Sequence, residues 1–270
     1  MNVQDFSATR LARAASTLSL LAGQTSEVDR LCGFWRRVER FGPGSQLRLS
    51  STCGSRRRVV VVVSGWACEL RILPDGRRQI FGFMLPGEAI DARCTTSIGS
   101  RGVIALSRLE VIDPDAILVE EPAFRQLFSR ALAEAALERE DRLYDHILRL
   151  GRLSARERVV HLLLDLRERM DRVGLVKGNS FRVPLTHEVF ADALGLSVVH
   201  INRTMKQLRQ EGSVFFKSGS VTLPDPERLA IMSQYQSPGT FTDELAPKPA
   251  PMGEPSADLA AARAGRRAMA

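Results

Sequence analysis

The sequence has few of the residues that usually carry metal or redox chemistry. Its 270 residues include only four cysteines and four histidines. Cys32, Cys53, Cys68 and Cys94 form no CxxC pair, which removes the usual sequence support for a zinc ribbon or a thioredoxin-type site. We therefore expect reduced thiols, no metal site and a cytoplasmic location.

Residues 1–120 also lack two side chains that commonly act as catalytic acids or bases. Residues 1–120 contain neither histidine nor lysine, because the histidines are His146, His161, His187 and His200. Catalysis there would have to rest on carboxylates. No Ser/His/Asp set, HExxH, P-loop or GxGxxG pattern occurs either. We therefore expect no catalytic residues and no enzymatic activity.

Long apolar runs are absent as well. The run Val59–Val63 is far shorter than the roughly 20 residues of a membrane span, so we expect no membrane partner. The composition, 44% hydrophobic and 26% charged, is typical of a globular chain. The net charge of +7 is a weak indication of an acidic partner. Residues 154–223 carry 11 basic and 7 acidic side chains, a higher density of positive charge than residues 1–120.

Residues 26–120 are predicted to form an antiparallel β-roll of jelly-roll type. Short β-branched and apolar segments alternate with Gly- and Pro-containing turns, a pattern typical of a small sandwich or barrel. The predicted strands are Val59–Val63, Trp66–Ile72, Gln79–Met84, Gly102–Leu106 and Leu109–Ile112, and the turns are Pro74–Gly76 and Leu85–Gly87.

A single long helix is predicted over residues 121–150. Residues 123–150 contain no proline or glycine and are rich in Ala, Leu, Glu and Arg, whereas Gly151 is expected to interrupt the helix. Its apolar stripe can pack against a second copy or cover the β-roll, and we favour dimerisation. The stripe comprises Phe124, Phe128, Leu132, Ala135, Ala136, Leu143, Ile147 and Leu150.

Residues 151–225 are predicted to form a winged helix-turn-helix. Ser154 and Glu157 make a capping box before an apolar helix, and two short strands follow the helix-turn-helix as a wing. We expect residues 1–25 to be poorly ordered. Residues 226–270 are predicted to form a short helix after Asp225-Pro226 and a disordered Pro/Ala-rich tail. The predicted fold class is α+β.

The helix-turn-helix carries the functional signal. Thr186 and Ser197 are predicted N-caps, and Gly195 supplies the tight turn between the two helices. In the second helix, Val198, Ile201, Met205 and Leu208 are predicted to share the buried face. Residues with side chains suited to the DNA major groove lie opposite or on the flanks, without an acid. They are Val199, His200, Asn202, Arg203, Lys206, Gln207 and Gln210.

The stretch LTHEVFADALGLSVVHINRTMKQLRQEG, together with PDGRR and LPGE in the predicted β-roll, resembles the CRP/FNR superfamily of transcription regulators. The resemblance spans about residues 25–225. It implies a homodimer that binds a two-fold-related operator in double-stranded DNA, with RNA polymerase as a further partner.

Two departures from the family pattern matter. Arg203 matches the family's recognition-helix arginine, but Val199 stands where a base-reading Glu is common, so another operator is expected. In the effector region, Asp91-Ala92 and Gly99-Ser100 replace the Gly-Glu and Arg-Ser pairs of cyclic-nucleotide binders. The candidate effector-pocket residues are Glu88, Asp91, Ser100 and Arg101.

We expect no bound cofactor. The departure in the effector region argues against a cyclic nucleotide, the position of the histidines argues against haem, and the scattered cysteines argue against an iron–sulfur cluster. Cys94 beside Arg93 has two interpretations, an inert thiol or a reactive one whose pKa the arginine lowers, and we favour the inert one.

One alternative function stays open at this stage. The chain could be a small-ligand sensor or a protein-interaction module whose winged helix does not bind DNA. The basic, acid-free face of the second helix favours DNA binding.

Overall fold

The computed structural model describes residues 38–47, 59–91, 101–113 and 122–237. The predictions for residues 1–25, for Cys94, for Ser100 and for the tail beyond residue 237 lie outside this part of the chain.

The described N-terminal residues form two antiparallel sheets. Their strands are β1 (Val38–Phe41), β2 (Val59–Ser64), β3 (Ala67–Ile72), β4 (Arg78–Met84), β5 (Ala89–Asp91), β6 (Arg101–Ala105) and β7 (Leu109–Ile112). One sheet has the strand order β1-β7-β2-β5 and the other the order β4-β3-β6. The predicted α+β class and the five predicted strand segments are confirmed, with ends that differ by at most one residue.

The two sheets bury one apolar cluster between them. Val60 and Val62 on β2 pack with Val103 on β6 and Val111 on β7, and all four side chains are fully buried. Alternate residues of a strand point to opposite faces, so these positions come from one face of each strand. The opposite face of the β4-β3-β6 sheet is free to pack against the helices.

Helix α1 (Pro122–Arg152) follows the β-strands. The prediction that Gly151 interrupts the helix is wrong, because the helix continues through Gly151 to Arg152. Glycine weakens a helix by only about 1 kcal/mol, which neighbouring turns and packing offset. Phe128 of the predicted stripe is buried, whereas Ile147 is 65% exposed.

The remaining helices and strands form the winged helix-turn-helix. Helix α2 (Ala155–Arg172) begins with the predicted capping box of Ser154 and Glu157. The other elements are β8 (Ser180–Arg182), α3 (His187–Leu194), α4 (Val198–Gln210), β9 (Phe215–Lys217), β10 (Ser220–Thr222) and α5 (Pro226–Ser233). The three strands form a small sheet in the order β8-β10-β9.

The winged helix and the β4-β3-β6 sheet share one apolar core. Trp66, Cys68 and Phe83 on the outer side of this sheet belong to the same buried cluster as Leu163 on α2 and Phe190 on α3. An ion pair between Arg78 of β4 and Asp192 of α3, at 2.7 Å, lies at the same junction. The orientation of the helix-turn-helix is therefore fixed by packing on the β-strands. In the described residues, no helix is long and apolar enough to span a membrane.

Candidate DNA-binding surface and interdomain cavity

Both helices of the helix-turn-helix begin at the predicted N-caps. The Thr186 hydroxyl accepts a hydrogen bond from the Val189 backbone amide at 3.3 Å, and the Ser197 hydroxyl accepts one from His200 at 3.2 Å. Each bond satisfies an amide that the first helical turn leaves without a partner, and such a cap contributes about 1 kcal/mol. The caps therefore fix where α3 and α4 start.

Gly195 makes the turn between the two helices. Its φ of 62° and ψ of 36° lie in the left-handed region, which glycine adopts without strain. A Cβ at this position would also approach the Leu150 side chain of α1 to 3.3 Å. The turn is therefore packed closely against α1, and any other residue in place of Gly195 would have a strained backbone.

Two arginines at the start of α2 position the helix-turn-helix. Arg158 donates to the backbone carbonyl of Leu194, at the end of α3, at 3.1 Å. Arg156 forms an ion pair with Glu211, which follows the last residue of α4. The sequence reading missed both arginines, because contacts between distant helices leave no local pattern.

The face of α4 that is predicted to contact DNA, called the reading face below, is exposed. Ile201, Met205 and Leu208 are buried on the opposite side of the helix. Among the described residues, no acidic side chain forms an ion pair with Arg203 or Lys206. The exposed predicted residues are Thr186, Ser197, Val199, His200, Asn202, Arg203, Lys206, Gln207 and Gln210.

One residue of this face is already engaged. The side-chain amide of Gln207 donates to the Glu211 carboxylate at 3.0 Å. Since Glu211 is also paired with Arg156, the Gln207 amide is held near the C-terminal end of α4. It is therefore less free to reach a base than Asn202, which lies in the second turn.

The assignment of Val198 to the buried face is wrong. Val198 is 39% exposed, and Thr204 at 5% exposure completes the buried side of α4. Side chains on a helix tilt toward its N-terminus, so the first residue of α4 extends beyond the packed core. Val198 and Val199, at 65% exposure, thus form an apolar pair at the tip of the reading face.

The predicted wing is present and carries a cation. Ser218 and Gly219 connect β9 and β10, with φ values of 50° and 74°. Two successive left-handed residues are the geometry of a tight two-residue hairpin. Lys217 at the end of β9 and Arg182 on β8 are both exposed, which adds positive charge beside the reading helix.

A cavity of about 510 Å³ lies between β4, α1 and α2. Glu88, a predicted effector-pocket residue, is among its lining residues. Of the other predicted pocket residues, Asp91 ends β5 and Arg101 begins β6, in separate sheets. The described residues therefore do not bring the four predicted pocket residues together in one site.

The Glu88 carboxylate is bound by an arginine of the winged helix. Arg169 of α2 donates to its two oxygens at 2.9 and 2.8 Å, and also to the carbonyl of Phe83 at 2.6 Å. Arg169 pairs in addition with Asp165 at 3.1 Å. Burial raises the pKa of Glu88, but Arg169 and Arg142 lower it by more, so the carboxyl stays ionised. This pair joins the β-strands to α2.

Two buried histidines lie beside a buried arginine in the same region. His161 accepts from Arg149 at 3.2 Å, and both side chains are at most 4% exposed. Burial and the charge of Arg149 lower the pKa of His146 and of His161 to about 4. Both histidines are therefore neutral at pH 7. The Cys68 thiol is buried too, and burial raises its pKa to about 12, which makes it unreactive.

These features define a winged-helix DNA-binding protein. They are the exposed, acid-free helix α4, the capped helix α3 before it and the basic wing. Comparisons with known proteins agree. Residues 157–232 match the model of the Crp-like helix-turn-helix domain.

Two relatives and one solved structure extend the likeness beyond this domain. The nitrogen fixation regulation protein FixK of Bradyrhizobium diazoefficiens is 34% identical over 60% of this chain and 68% of its own length. The transcriptional activatory protein AadR of Rhodopseudomonas palustris is 30% identical over 72% of this chain and 80% of its own. The structure of FixK2 from Bradyrhizobium japonicum shares the fold at 23% identity, with a TM-score of 0.59 over 74% of this chain and 98% of that one. The chain belongs to the CRP/FNR family of DNA-binding transcription regulators.

Proposed function

We propose that the protein acts as a homodimer and regulates transcription by placing two copies of α4 in successive major grooves of a two-fold-related operator. The observation that carries this proposal is the exposed face of α4. It offers Arg203 and Lys206 without an acidic partner among the described residues, beside exposed amide and apolar side chains. Such a face suits both the phosphates and the base edges of DNA.

Each side chain has a proposed role. Arg203 donates to guanine N7 and O6, and Asn202 binds the edge of an adenine. Val199 contacts a thymine methyl group, in place of the acid common in the family. Lys206 binds a phosphate. Thr186 and Ser197 start helices whose N-terminal amides attract phosphates, and His200, Gln207 and Gln210 complete the surface.

Dimerisation is proposed to use the exposed apolar side of α1. Leu137, Tyr144, Ile147 and Leu148 are 43–65% exposed. Their spacing of 7, 10 and 11 residues from Leu137 places them on one face, as in a helix pair. The packed and exposed sides of α1 therefore serve different partners, the chain's own β-strands and a second copy.

Charge substitution tests the dimer. Ile147→Glu is expected to convert the protein to a monomer in sedimentation velocity, because it places a charge in the helix pair. Ile231→Glu is the matched control, since Ile231 on α5 is 79% exposed outside this stripe. A dimer that survives Ile147→Glu as well as it survives Ile231→Glu would place the interface elsewhere.

The β-strand domain is proposed to sense a signal, and the exposed winged helix to bind DNA near RNA polymerase in the cytoplasm. These roles follow from the family and from the direct packing of the β4-β3-β6 sheet on the winged helix. We propose binding rather than catalysis as the activity.

Selection of binding sites from random DNA by the purified full chain tests the function. The expected result is one sequence with two-fold symmetry whose affinity falls as salt rises. An affinity that is equal for all sequences would exclude specific regulation. Retained ligand binding without any DNA binding would instead favour a sensor or interaction module.

A further inference from the structure

The cavity between β4, α1 and α2 is lined by many charged side chains, most of which neutralise one another. Arg139 pairs with Glu69, and Arg169 pairs with Glu88 and Asp165. At the cavity rim, Arg142 and Arg172 share Glu138, each at 3.2 Å. These pairs account for four of the arginines that line the cavity.

Arg149 differs from these arginines. It lines the same cavity and is only 4% exposed. Its hydrogen bonds, at 3.2 and 3.4 Å, go to Nδ1 of His161. Within the part of the chain that the structure describes, no carboxylate forms an ion pair with Arg149.

The surroundings compensate the Arg149 charge incompletely. The adjacent histidines, His146 and His161, are neutral, and Asp165 is already bound by Arg169. Asp145 lies one turn earlier on α1 and forms no ion pair with Arg149. Burial lowers the pKa of Arg149 by more than Asp165 and Asp145 raise it. Because the charge of Arg149 is buried and only partly compensated, binding of an anion next to it is favourable.

We propose that the cavity binds a small-molecule anion, with Arg149 as the residue that holds its carboxylate or phosphate group. The volume of about 510 Å³ is that of a small-ligand site, and a guanidinium binds both anion types through paired hydrogen bonds. The site uses the C-terminal end of α1 rather than Gly99-Ser100, the place of the Arg-Ser pair in cyclic-nucleotide binders of the family. Because β4, α1 and α2 all line it, the ligand would contact both the β-strands and the winged helix.

The test measures the thermal midpoint Tm of the full chain without DNA, so its outcome is independent of the proposed DNA binding. Inorganic phosphate and acetate are titrated separately against chloride at constant ionic strength, which distinguishes the two anion types. Wild type is expected to show a saturable rise of Tm with at least one of them. Arg149→Met should require about tenfold more anion or lose the saturable response. Arg152→Met, an exposed arginine of the same helix, controls for net charge.

Two further readouts separate an anion receptor from a structural arginine. Without added anion, Arg149→Met should have a Tm equal to or above that of wild type, because a poorly compensated buried cation has been removed. Arg149→Lys, which keeps the charge but not the paired geometry, should bind the same anion more weakly. Equal responses of wild type, Arg149→Met and Arg152→Met would overturn the proposal, since they would reflect general salt effects. Absence of any saturable response in wild type would also overturn it.

Discussion

The basic residues of the reading helix and those of the interdomain junction occupy opposite environments. Arg203 and Lys206 on α4 are exposed, without an acidic partner among the described residues. Arg169 on α2 is 8% exposed and binds two carboxylates and a backbone carbonyl. The same residue type thus serves a surface that binds a partner and a core that joins two parts of the chain.

The difference follows from solvation. Water stabilises an exposed guanidinium without a partner, so α4 can keep its cations free for phosphates and bases. A buried guanidinium loses that hydration and needs carboxylates in its place. The positive charge of the winged helix should therefore separate into cations that matter for DNA affinity and cations that matter for folding.

Loss of Arg169 should give the largest effect on folding. Arg169→Met leaves Glu88 and Asp165 buried without their cation, and should lower the free energy of unfolding by about 3–5 kcal/mol. Arg203→Met should change it by no more than about 0.5 kcal/mol, because Arg203 is exposed. Urea unfolding measures both. Similar losses for the two variants would contradict the separation of roles.

Acid should weaken the junction before it affects the paired carboxylates. His146 and His161 have pKa values of about 4 in the folded chain, below the usual 6.5. The unfolded chain therefore takes up their protons first, and the free energy of unfolding should fall as pH drops from 6.5 toward 4. Each histidine should account for about 2 kcal/mol between pH 7 and pH 5.

Substitution of each histidine tests whether that histidine causes this pH dependence. His146→Gln and His161→Gln should each remove about half of the fall between pH 7 and pH 5 in urea unfolding. Glu88 and Asp165 have pKa values below their usual ones, so their stabilisation is complete above about pH 4.5 and is lost only at lower pH. A wild-type curve that is flat down to pH 4.5 would show that the histidines are not kept neutral by the fold.

The reading helix was largely predictable from sequence because its signals are local. The N-caps Thr186 and Ser197, the glycine of the turn and the spacing of Ile201, Met205 and Leu208 all lie within 25 residues, in one continuous segment. Val198 was misassigned because helical periodicity does not indicate where the packed core ends.

The junction could not be predicted in the same way. Glu88 and Arg169 are 81 residues apart, and no periodicity links a β-turn acid with an arginine of a later helix. The resemblance places Glu88 in an effector pocket and does not indicate its ion pair, and the sequence predicts a helix end at Gly151 although packing overrides the low helix propensity of glycine. Pairing between distant elements depends on tertiary structure, which propensity and spacing do not encode.

Among the exposed cations, Arg203 should contribute most to DNA binding. Arg203→Ala should weaken binding to the selected operator by about 1–3 kcal/mol for each half-site, because the paired hydrogen bonds to guanine are lost. Arg130→Ala, which removes an exposed arginine of α1, is the control and should leave the affinity unchanged. Fluorescence anisotropy measures both variants. Equal affinities of Arg203→Ala and wild type would remove Arg203 from the reading surface.

Lys206 should give the smallest effect and one of a different kind. A phosphate contact carries no sequence information, so Lys206→Gln should weaken binding to the operator and to random DNA by the same factor. The slope of log affinity against log salt concentration should fall in magnitude by about two, because the dimer loses one phosphate contact, and with it about one released counterion, in each half-site. Arg203→Ala should instead reduce the ratio of operator to random-DNA affinity. If Lys206→Gln changed that ratio and left the salt slope intact, Lys206 would be a base-reading residue, and the reading surface would extend into the third turn of α4.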